Sequence, residues 1–599
     1  MKNGQMGKQK SKGEKKDKSE STTESGISQS FIDYYRDILV PDHLTEADFN
    51  TMIDIYKEPL PNVFRLSTKA DNIKHIQEEL NKILEDLKLY KIETVEYDSL
   101  PQEFGKVYRM KVDKTLLRKS PELEVFNKWL KNQTTLGHTH RQEFVSMIPP
   151  YFLDVKPDSS VLDCCAAPGS KSCQILEMLK EGFLVSNDLE PKRCHNLVHQ
   201  MQRIGTENAL ITCQNAEFLD YGNTKFDRVL CDVPCSGDGT CRKNPSAAAK
   251  WNPSGGLQLH QTQRNILLRG LELLKVDGIC VYSTCSMNPI EDEAVINSVI
   301  NELNGAVEIL DVSSKFLDLK RHSGISSWPV FNKEMTKYQS FENVSEDDKE
   351  LIKETMFPSK IAPGLENCMR FYPQDDDSGG FFITVLKKVS EFERVTKEPT
   401  KPAKPLREAP FKCITEMETD AIKKLKDVYD ISDELSISQL YVRDETKVHG
   451  IYYVNQHISN LVKEIGYQKL RVIHGGTKIF TIKSLGKEQK DIPCPAQEGI
   501  DIAFRFINKR KYGLTPRLIV KLLKAGRNGV KYSKLPEDIS NQLTNEPQTG
   551  AIFYIPNTNF MYSGITFKFS AAIYLKNELV DLEVQKIMNV FSDLFKKEI

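Results

Sequence analysis

The sequence predicts an α/β chain built around a doubly wound, mainly parallel sheet. The main observation is an alternation that starts near residue 160, where short apolar runs of strand length are separated by amphipathic helical segments. The composition agrees, because 39% of the residues are hydrophobic and 28% are charged, which supports packed cores and excludes a wholly disordered chain. Such sheets bind ligands at the carboxyl ends of their strands, so function is expected there.

The predicted strands and helices follow one another in chain order. The strand candidates are Val161–Asp163, Phe183–Asn187, Ala209–Cys213, Arg228–Cys231, Gly278–Ser283 and Phe381–Leu386. The helix candidates are Ser172–Lys180, Lys192–Arg203, Leu259–Leu274 and Glu291–Leu303. Upstream, apolar residues at helical spacing predict helices that begin near Phe31 and Ile73, and residues 106–112 have the pattern of a strand.

Composition divides the chain into five parts. Residues 1–27 form a polar, Lys-rich tail that we expect to be disordered, and residues 28–150 form an α/β extension. The doubly wound domain covers residues 151–390, and a Pro-rich linker follows at 391–412. Residues 413–599 form a smaller α+β domain.

The charge balance and the apolar runs limit the partners and the compartment. The chain has 82 basic and 83 acidic residues, so any preference for nucleic acid must be local. No apolar run is long enough to span a bilayer, and the polar N-terminus has no signal-peptide core, so we expect neither membrane insertion nor secretion. The 13 cysteines suit a reducing compartment with free thiols. The cluster Lys15, Lys16 and Lys18 favours nuclear import, and a solvated tail is the alternative.

A turn of small residues follows the first strand of the doubly wound domain. Its residues are Cys165, Ala166, Ala167, Pro168, Gly169, Ser170 and Lys171. Small side chains let the backbone approach a ligand, and the N–H groups at the start of the next helix face it. The turn has neither the glycine spacing of a dinucleotide loop nor that of a phosphate loop. It suits a bulky, neutral to cationic group better than a pyrophosphate.

An acid stands where a ribose would lie. Asp188 ends the second strand, about 20 residues after the turn, a position from which a carboxylate binds ribose hydroxyls. A nucleoside without phosphates, bound by a small-residue turn and an acid, points to S-adenosylmethionine. The alternative is an ordinary tight turn beside a surface acid.

Two cysteines follow the ends of neighbouring predicted strands. Cys235 comes after Asp232-Val233-Pro234, and Cys285 comes after Ser283-Thr284. Parallel strands end at one sheet edge, so both thiols are expected beside the turn. Cysteines are more often small core residues, which is how we interpret Cys231 and Cys280. The cysteines lack paired metal-ligand spacing, and His195 and His199 fit a solvated helix face better than a metal site, so we expect no metal.

Paired thiols of this kind fit the methylation of carbon 5 of a cytosine. Carbon 5 is a poor nucleophile until a thiolate adds to carbon 6, after which it can attack a sulfonium methyl group. Asp232 stands where it could protonate N3 of the ring, and a second group is needed for release of the product. Because a free thiol is only a few per cent ionised near neutral pH, the site needs nearby cations. Lys171 and the sulfonium are the candidates.

Seven stretches of the chain resemble the Nop/Sun family of RNA cytosine-5 methyltransferases, and within it the eukaryotic tRNA branch. The similarity is dense from about residue 30 to 390 and thin after 410. The matching stretches are Arg141–Glu143 with Ser146–Pro150, Cys165–Lys171, Asp232–Thr240 with Arg242–Asn244, Tyr282–Ser286, Asn288–Val295, Thr355–Pro358 and Gly379–Phe382.

The resemblance implies a fold, a cofactor and a role for each matching residue. It implies a Rossmann-like class I S-adenosylmethionine-dependent methyltransferase domain that acts on tRNA, flanked by RNA-binding N- and C-terminal parts. Cys285 would be the nucleophile and Cys235 the cysteine that assists release. The turn and Asp188 would bind the cofactor, with Asp232 as a further cofactor and base contact. Asn215 replaces the family's usual Asp near the adenine, and its amide oxygen can still accept a hydrogen bond.

A basic segment near the C-terminus is the predicted RNA surface. Between residues 505 and 534 it carries ten basic residues and no acid, with Phe504, Phe506, Tyr512 and Tyr532 interleaved as candidates for base stacking. The ten are Arg505, Lys509, Arg510, Lys511, Arg517, Lys521, Lys524, Arg527, Lys531 and Lys534. The alternative is a solvated helix whose aromatic residues belong to the core. We expect a nuclear or nucleolar enzyme, with the cytoplasm as the alternative, and the sequence leaves the oligomeric state open. Methylation of ribosomal or messenger RNA and an inactive RNA-binding relative are the competing hypotheses.

Overall fold

The computed structural model describes residues 26–595 except 41, 70–72, 98–99, 101–104, 206, 395–405, 417–419, 433, 444–447 and 484–491. The Lys-rich tail before residue 26, with the candidate import cluster, and most of the Pro-rich linker therefore lie outside the described residues. The nuclear location stays a prediction for that reason.

The N-terminal part contains two leading helices and a small antiparallel sheet with the order β2-β3-β1-β4. Its elements are α1 Gln29–Leu39, α2 Glu46–Tyr56, β1 Asn62–Leu66, α3 Ile73–Lys88, β2 Thr94–Glu96, β3 Val107–Met110, α4 Lys114–Lys119, α5 Glu124–Thr135, β4 Thr139–Arg141 and α6 Ile148–Phe152. The helices predicted from Phe31 and Ile73 correspond to α1 and α3.

Helix α1 begins at a serine cap and buries an aromatic face. The Ser28 side chain accepts a hydrogen bond from the backbone of Phe31, which satisfies one of the free N–H groups of the first turn. Phe31, Tyr34 and Tyr35 are buried and pack against Trp251. The helix is thereby fixed to the following domain.

The central part is a doubly wound sheet, as the alternation predicts. Its elements are β5 Ser160–Asp163, α7 Ser170–Met178, β6 Phe183–Asn187, α8 Pro191–Met201, β7 Ala209–Thr212, β8 Phe226–Asp232, α9 Pro245–Ala249, α10 Ser254–Leu273, β9 Leu274–Thr284, α11 Glu293–Leu303, β10 Val307–Ile309, β11 His322–Ser323, β12 Val330–Phe331, β13 Lys337–Tyr338, β14 Met369–Phe371, α12 Pro373–Asp376 and β15 Phe381–Lys388.

The strand order places a crevice beside the turn. Within the described residues the sheet runs β11-β14-β15-β9-β8-β5-β6-β7-β19, with β10 beside β15. The last strand, β19, is Val472–Gly475 of the C-terminal part. Strands β5 to β9 are parallel, whereas β15, predicted as one more strand of the alternation, pairs with β9 antiparallel. The chain moves outward from β5 to β7 and then returns to the other side of β5 with β8. The carboxyl ends of β5 and β8 therefore flank the switch point, where doubly wound sheets bind ligands.

The C-terminal part adds two further sheets and several helices. Its elements are β16 Phe411–Cys413, α13 Asp420–Tyr429, β17 Leu440–Arg443, β18 Gly450–Tyr453, α14 Gln456–Ile465, α15 Tyr467–Leu470, β19 Val472–Gly475, β20 Thr477–Lys483, β21 Ile492–Pro495, α16 Ile500–Phe506, β22 Lys511–Gly513, α17 Pro516–Ala525, β23 Val530–Lys531, α18 Glu537–Asn545, β24 Gly550–Tyr554, β25 Met561–Thr566, β26 Ser570–Ile573, α19 Asn577–Val590 and α20 Ser592–Phe595.

One C-terminal strand belongs to the central sheet. Strand β19 pairs antiparallel with β7, with Val472 opposite Thr212 and Gly475 opposite Leu210. Just beyond the ladder, the N–H of Cys213 donates to the carbonyl of Arg471 over 3.0 Å. The C-terminal part thus covers an edge of the central sheet that would otherwise present unpaired backbone groups.

None of the described helices combines the length and the apolar character that crossing a bilayer requires.

Candidate active site

The turn after β5 is shaped by its glycine and by the neighbouring strand. Gly169 has φ = +113°, in the left-handed region that favours glycine, and α7 begins immediately after it. The N–H of Ala166 donates to the carbonyl of Asn187 over 2.7 Å, and Arg193 donates to the carbonyl of Ala167 over 2.7 Å. The turn is therefore held from β6 and α8 while the start of α7 faces the crevice.

Asp188 lies beside this turn with its carboxylate partly engaged. One oxygen accepts the N–H of Ala167 over 3.2 Å, and the other accepts the N–H of Glu190 over 3.1 Å. Each oxygen keeps a lone pair, which is the arrangement that binds two adjacent hydroxyls. Burial raises the pKa of Asp188, whereas these N–H groups and the Arg193 guanidinium at 3.4 Å favour the ionised form.

Asn215 lies at the end of the same crevice wall, where it caps a short 3₁₀ turn. Its Oδ1 accepts the backbone N–H of Glu217 over 3.1 Å. The amide oxygen has a second lone pair, which leaves it able to accept a hydrogen bond from an adenine. This contact stays a prediction.

The acidic side chains around the turn suit a cationic nucleoside. Asp163, Asp188 and Asp232 lie at the ends of β5, β6 and β8, and carboxylates attract a positive ligand. Asp163 is buried, and burial raises its pKa to about 7. One of its oxygens accepts from Ser172 over 2.7 Å, and the other has no hydrogen-bond partner among the described residues. This buried oxygen and the free lone pairs of Asp188 fit S-adenosylmethionine, with its ribose hydroxyls and cationic groups.

Asp232 connects the turn to the strand that leads to the second cysteine. Its Oδ2 accepts from Lys171 Nζ over 2.8 Å, and its Oδ1 accepts from Ser283 Oγ over 2.7 Å. Lys171 also donates to Ser146 Oγ over 3.0 Å. The expectation that Lys171 directly lowers a cysteine pKa is therefore not met by its contacts, because its ammonium pairs with Asp232.

The two cysteines meet at the carboxyl edge of β8 and β9. Their Sγ atoms are 3.3 Å apart, and both side chains are partly exposed. Cys285 follows β9 directly, whereas Cys235 lies three residues beyond β8 in a loop that turns at Gly237 with φ = +72°. The hydrogen bond to Cys285 raises the pKa of the Cys235 thiol well above its usual range, and burial adds to this shift. This shift favours the protonated form of Cys235.

Comparison with known proteins shows the family to which the chain belongs. A family model described as 16S rRNA methyltransferase RsmB/F matches residues 150–340, and one described as the NSUN2 Pre-PUA domain matches residues 411–508. A multisite-specific tRNA:(cytosine-C(5))-methyltransferase from Schizosaccharomyces pombe, trm4b, is 31% identical over 83% of this chain and 84% of its own. The chain belongs to the tRNA (cytosine-C5)-methyltransferase family.

Two further relatives agree with this membership. The multisite-specific enzyme of Saccharomyces cerevisiae is 34% identical over 73% of this chain and 70% of its own. A tRNA (cytosine(34)-C(5))-methyltransferase from Drosophila melanogaster is 34% identical over 75% of this chain and 70% of its own. The predicted family, the Rossmann-like methyltransferase fold and S-adenosylmethionine as methyl donor are confirmed. The turn and Asp188 are the residues that would hold this donor.

Sequence reasoning missed several polar residues of this methyltransferase site. Ser146 contacts Lys171, Ser283 contacts Asp232, and Glu291 lies between the two cysteine loops. Ser146 and Glu291 belong to stretches that carry the family resemblance, but nothing in their spacing shows what they contact. Ser283 had a detectable signal, since it is a polar residue at the end of an apolar strand, two residues before Cys285.

The remaining cysteines and histidines of this methyltransferase fit structural roles. Cys231 and Cys280 are fully buried inside their strands, as expected for core residues. His195 bonds Glu408 over 3.0 Å and is exposed. No cluster of three or more candidate metal ligands occurs among the described residues.

The predicted RNA surface is only partly available. Eight basic residues of the segment are exposed, and six of them belong to or follow α17. The eight are Arg505, Lys509, Arg517, Lys521, Lys524, Arg527, Lys531 and Lys534. Arg510, in contrast, is buried against Glu546 and Thr566. Tyr512 and Tyr532 are also buried, so the expectation that these two rings stack on bases is wrong. They pack in the core behind the basic face.

Proposed function

We propose that this chain methylates carbon 5 of cytosines in tRNA through a covalent bond between Cys285 and carbon 6 of the base. The observation that carries the proposal is the 3.3 Å contact between Cys235 and Cys285 at the sheet edge that also holds the turn and Asp232. A single nucleophile would not need a second thiol at this distance. The pair supports two roles in sequence, addition and release.

Cys285 is the nucleophile in this proposal. Its sulfur adds to carbon 6, the electron pair of the carbon 5–carbon 6 bond shifts towards N3, and the proton that the Cys285 thiol gives up passes through Asp232 to N3. S-adenosylmethionine supplies the electrophilic methyl group that carbon 5 then takes. Loss of the carbon 5 proton to water and return of the N3 proton to Asp232 re-form the double bond and expel the Cys285 sulfur. Lys171 keeps Asp232 at the base side of the turn.

Cys235 serves the last step. Because Cys235 holds its proton and lies against Cys285, it can donate to the sulfur that leaves carbon 6. Protonation or hydrogen bonding makes that sulfur a better leaving group. The proposal therefore separates the two thiols by role, with Cys285 as the nucleophile and Cys235 as the donor to the departing sulfur.

Transfer RNA is the proposed substrate for two reasons. Three relatives that align with 73–83% of this chain are named as tRNA methyltransferases. The target cytosine must also leave its stack to reach Cys285, which costs a few kcal/mol and costs least in loops and junctions of structured RNA. Ribosomal RNA is the second candidate, because the family model over residues 150–340 is named for 16S rRNA.

Alanine variants of the two cysteines test the chemistry. We expect Cys285→Ala to abolish both methyl transfer and any covalent protein–RNA adduct. We expect Cys235→Ala to accumulate that adduct, because addition proceeds while release stalls. Denaturing gels with labelled tRNA measure both, and mapping of methylated cytosines in total small RNA separates tRNA from ribosomal RNA. The roles are wrong if Cys235→Ala forms no more adduct than the wild type.

Neutralising exposed cations tests the RNA surface. In Lys521→Ala/Lys524→Ala/Arg527→Ala we expect weaker tRNA binding and a slope of log affinity against log salt that is lower by about 2–3, since each lost phosphate contact removes roughly 0.7–0.9 from it. Arg510 is left intact because it is buried. The control is Lys315→Ala/Lys333→Ala/Lys360→Ala, three exposed lysines of the central part. An unchanged slope in the first variant removes α17 from the RNA footprint.

A further inference from the structure

A buried carboxylate lies between the two cysteine loops. Glu291 is fully buried, and its oxygens accept four hydrogen bonds. From the first loop, Ser236 donates through its N–H over 2.8 Å and through its hydroxyl. From the second loop, Ser286 donates through its hydroxyl over 2.8 Å, and Gln263 of α10 donates over 2.9 Å. Ser236 directly follows Cys235 and Ser286 directly follows Cys285, so the Glu291 side chain is hydrogen-bonded to the residue next to each cysteine.

A second carboxylate joins the same two loops from another direction. Asp238, on the Cys235 loop, accepts the backbone N–H of Met287 on the Cys285 loop over 2.9 Å. Its other oxygen accepts from the hydroxyl of Tyr35 in α1 and from Trp251 Nε1 over 3.1 Å. Both carboxylates are thus occupied by donors that belong to, or brace, the cysteine loops.

The backbone makes a third connection. The N–H of Gly239 donates to the carbonyl of Cys285 over 3.0 Å. A Cβ at Gly239 would lie 2.8 Å from that carbonyl oxygen and 2.3 Å from the carbonyl oxygen of Gly380, so only glycine permits this approach. The two loops are therefore packed as one unit.

Strand geometry alone would not produce this placement. Cys285 is fixed by β9, but Cys235 stands three residues beyond β8 and depends on its loop. A misplacement of about 1 Å at a reacting group can cost roughly 100-fold in rate, so a loop-borne group needs external support.

We propose that Glu291 and Asp238 are positioning residues that hold Cys235 against Cys285. The proposal deepens the proposed function, since the need for this contact rests on the release role of Cys235. Glu291 is the principal residue, because its carboxylate bonds the residue that follows each cysteine. Asp238 connects the two loops through its bond with Met287 and connects them to α1 through its bond with Tyr35.

Disulfide trapping measures the placement without relying on catalysis. The azo oxidant diamide takes two electrons and two protons from a thiol pair and is reduced to its hydrazine, so its rate of cross-linking reports how often the two sulfurs meet. In the full-length protein we expect rapid Cys235–Cys285 cross-linking, read by mass spectrometry after alkylation. We expect Glu291→Ala to slow it by about tenfold, in line with loss of a fixed geometry. Glu291→Gln should stay within about twofold, because the amide oxygen still accepts and the serine hydroxyls can rotate to accept from its NH₂.

Two further variants keep the result interpretable. Asp227→Ala is the matched control, since Asp227 accepts the N–H and hydroxyl of Ser160 over 2.8 and 2.6 Å at the opposite end of β8. It removes the same kind of bonds without touching the cysteine loops, so its cross-linking rate should equal that of the wild type. If Glu291→Ala does not fold, Ser236→Ala/Ser286→Ala removes the hydroxyl donors of both loops and should slow cross-linking severalfold.

The adduct assay then links placement to reaction. We expect Glu291→Ala to lower kcat about tenfold or more with little change in KM for tRNA, and to accumulate adduct as Cys235→Ala does. Wild-type cross-linking in a folded Glu291→Ala protein would overturn the positioning role, whatever the cysteines do. Slower cross-linking in Glu291→Ala, together with no adduct in Cys235→Ala, would support the positioning role and overturn the release role.

Discussion

At the scale of single residues, the site contains two buried carboxyl groups with raised pKa values. Asp163 and Glu291 both have pKa values raised to about 7, in each case chiefly by burial, and neither bonds a cation. A carboxyl group in this condition is protonated over part of the physiological range and then acts as a hydrogen-bond donor as well as an acceptor. The site therefore combines groups whose protonation changes near neutral pH.

The stability of the fold should depend on the Glu291 proton. Burial, reinforced by Asp238, raises its pKa from 4.5 to about 7, so the folded state binds this proton more tightly than the unfolded state. Its contribution to stability is complete below pH 4.5 and declines as the pH rises towards 7. Glu291→Gln cannot ionise, so the stability difference between this variant and the wild type should shift in favour of the variant across that window.

Thermal unfolding at a series of pH values measures this shift. One pKa unit corresponds to about 1.4 kcal/mol, so the shift from 4.5 to about 7 makes the total change about 3.5 kcal/mol at most, with a plateau above pH 8. A difference in unfolding temperature that stays constant from pH 4.5 to 8 would contradict the assignment.

The sequence was informative about residues that are close to a strand end. The positions of Cys235 and Cys285 were predictable because parallel strands end at one edge, and Asp188 was predictable from its distance to the turn. Glu291 and Ser146 were not, because their partners come from other segments of the chain. Arg510 was misjudged for a related reason, since a basic run gives no sign that one member pairs with Glu546, 36 residues further along the chain.

Among the elements, α1 joins the N-terminal part to the cysteine loops. Tyr35 donates to Asp238, and its neighbour Tyr34 donates to Asn288 Oδ1 over 2.7 Å. Both tyrosines are buried, so their hydroxyl groups depend on these partners. The helix therefore contributes to the order of the site although it carries none of the reacting groups.

Removal of one hydroxyl group should show this contribution. Tyr35→Phe keeps the packed ring but leaves Asp238 with one donor fewer, and a lost bond to a buried carboxylate costs about 1–3 kcal/mol. We expect a lower unfolding temperature together with a reduced kcat. Tyr90→Phe, at an exposed position, is the control and should change neither. A Tyr35→Phe enzyme with wild-type stability and kcat would exclude α1 from the support of the site.

Element boundaries were predictable from apolar periodicity, and pairing was less so. The strand Phe183–Asn187 occurs as predicted, and the other predicted strands of the central sheet are within four residues of their observed ends. The direction of β15 was not evident, because an apolar run looks the same in parallel and antiparallel strands. The pairing of β19 with β7 joins residues that are distant in sequence, and no local pattern indicates such a contact.

At the scale of the whole molecule, the C-terminal part and the central sheet are one structure. Without β19, strand β7 would be an edge with free backbone groups and buried apolar side chains. We expect a fragment of residues 26–394 to self-associate at micromolar concentration, whereas the full chain does not do so through this edge. Light scattering of the two proteins at equal concentration measures the difference. A monomeric, thermally stable fragment would show that β7 needs no cover.

The β7–β19 ladder also has a consequence for biosynthesis. The ribosome makes Thr212 long before its partner Val472, so the nascent sheet emerges with an unfilled slot along one side. Until the late strand arrives, that slot can accept any extended peptide, including the same strand from a neighbouring nascent chain on one messenger. We therefore expect folding to finish only after translation has passed residue 475, and a holdase chaperone to improve the yield most during that interval.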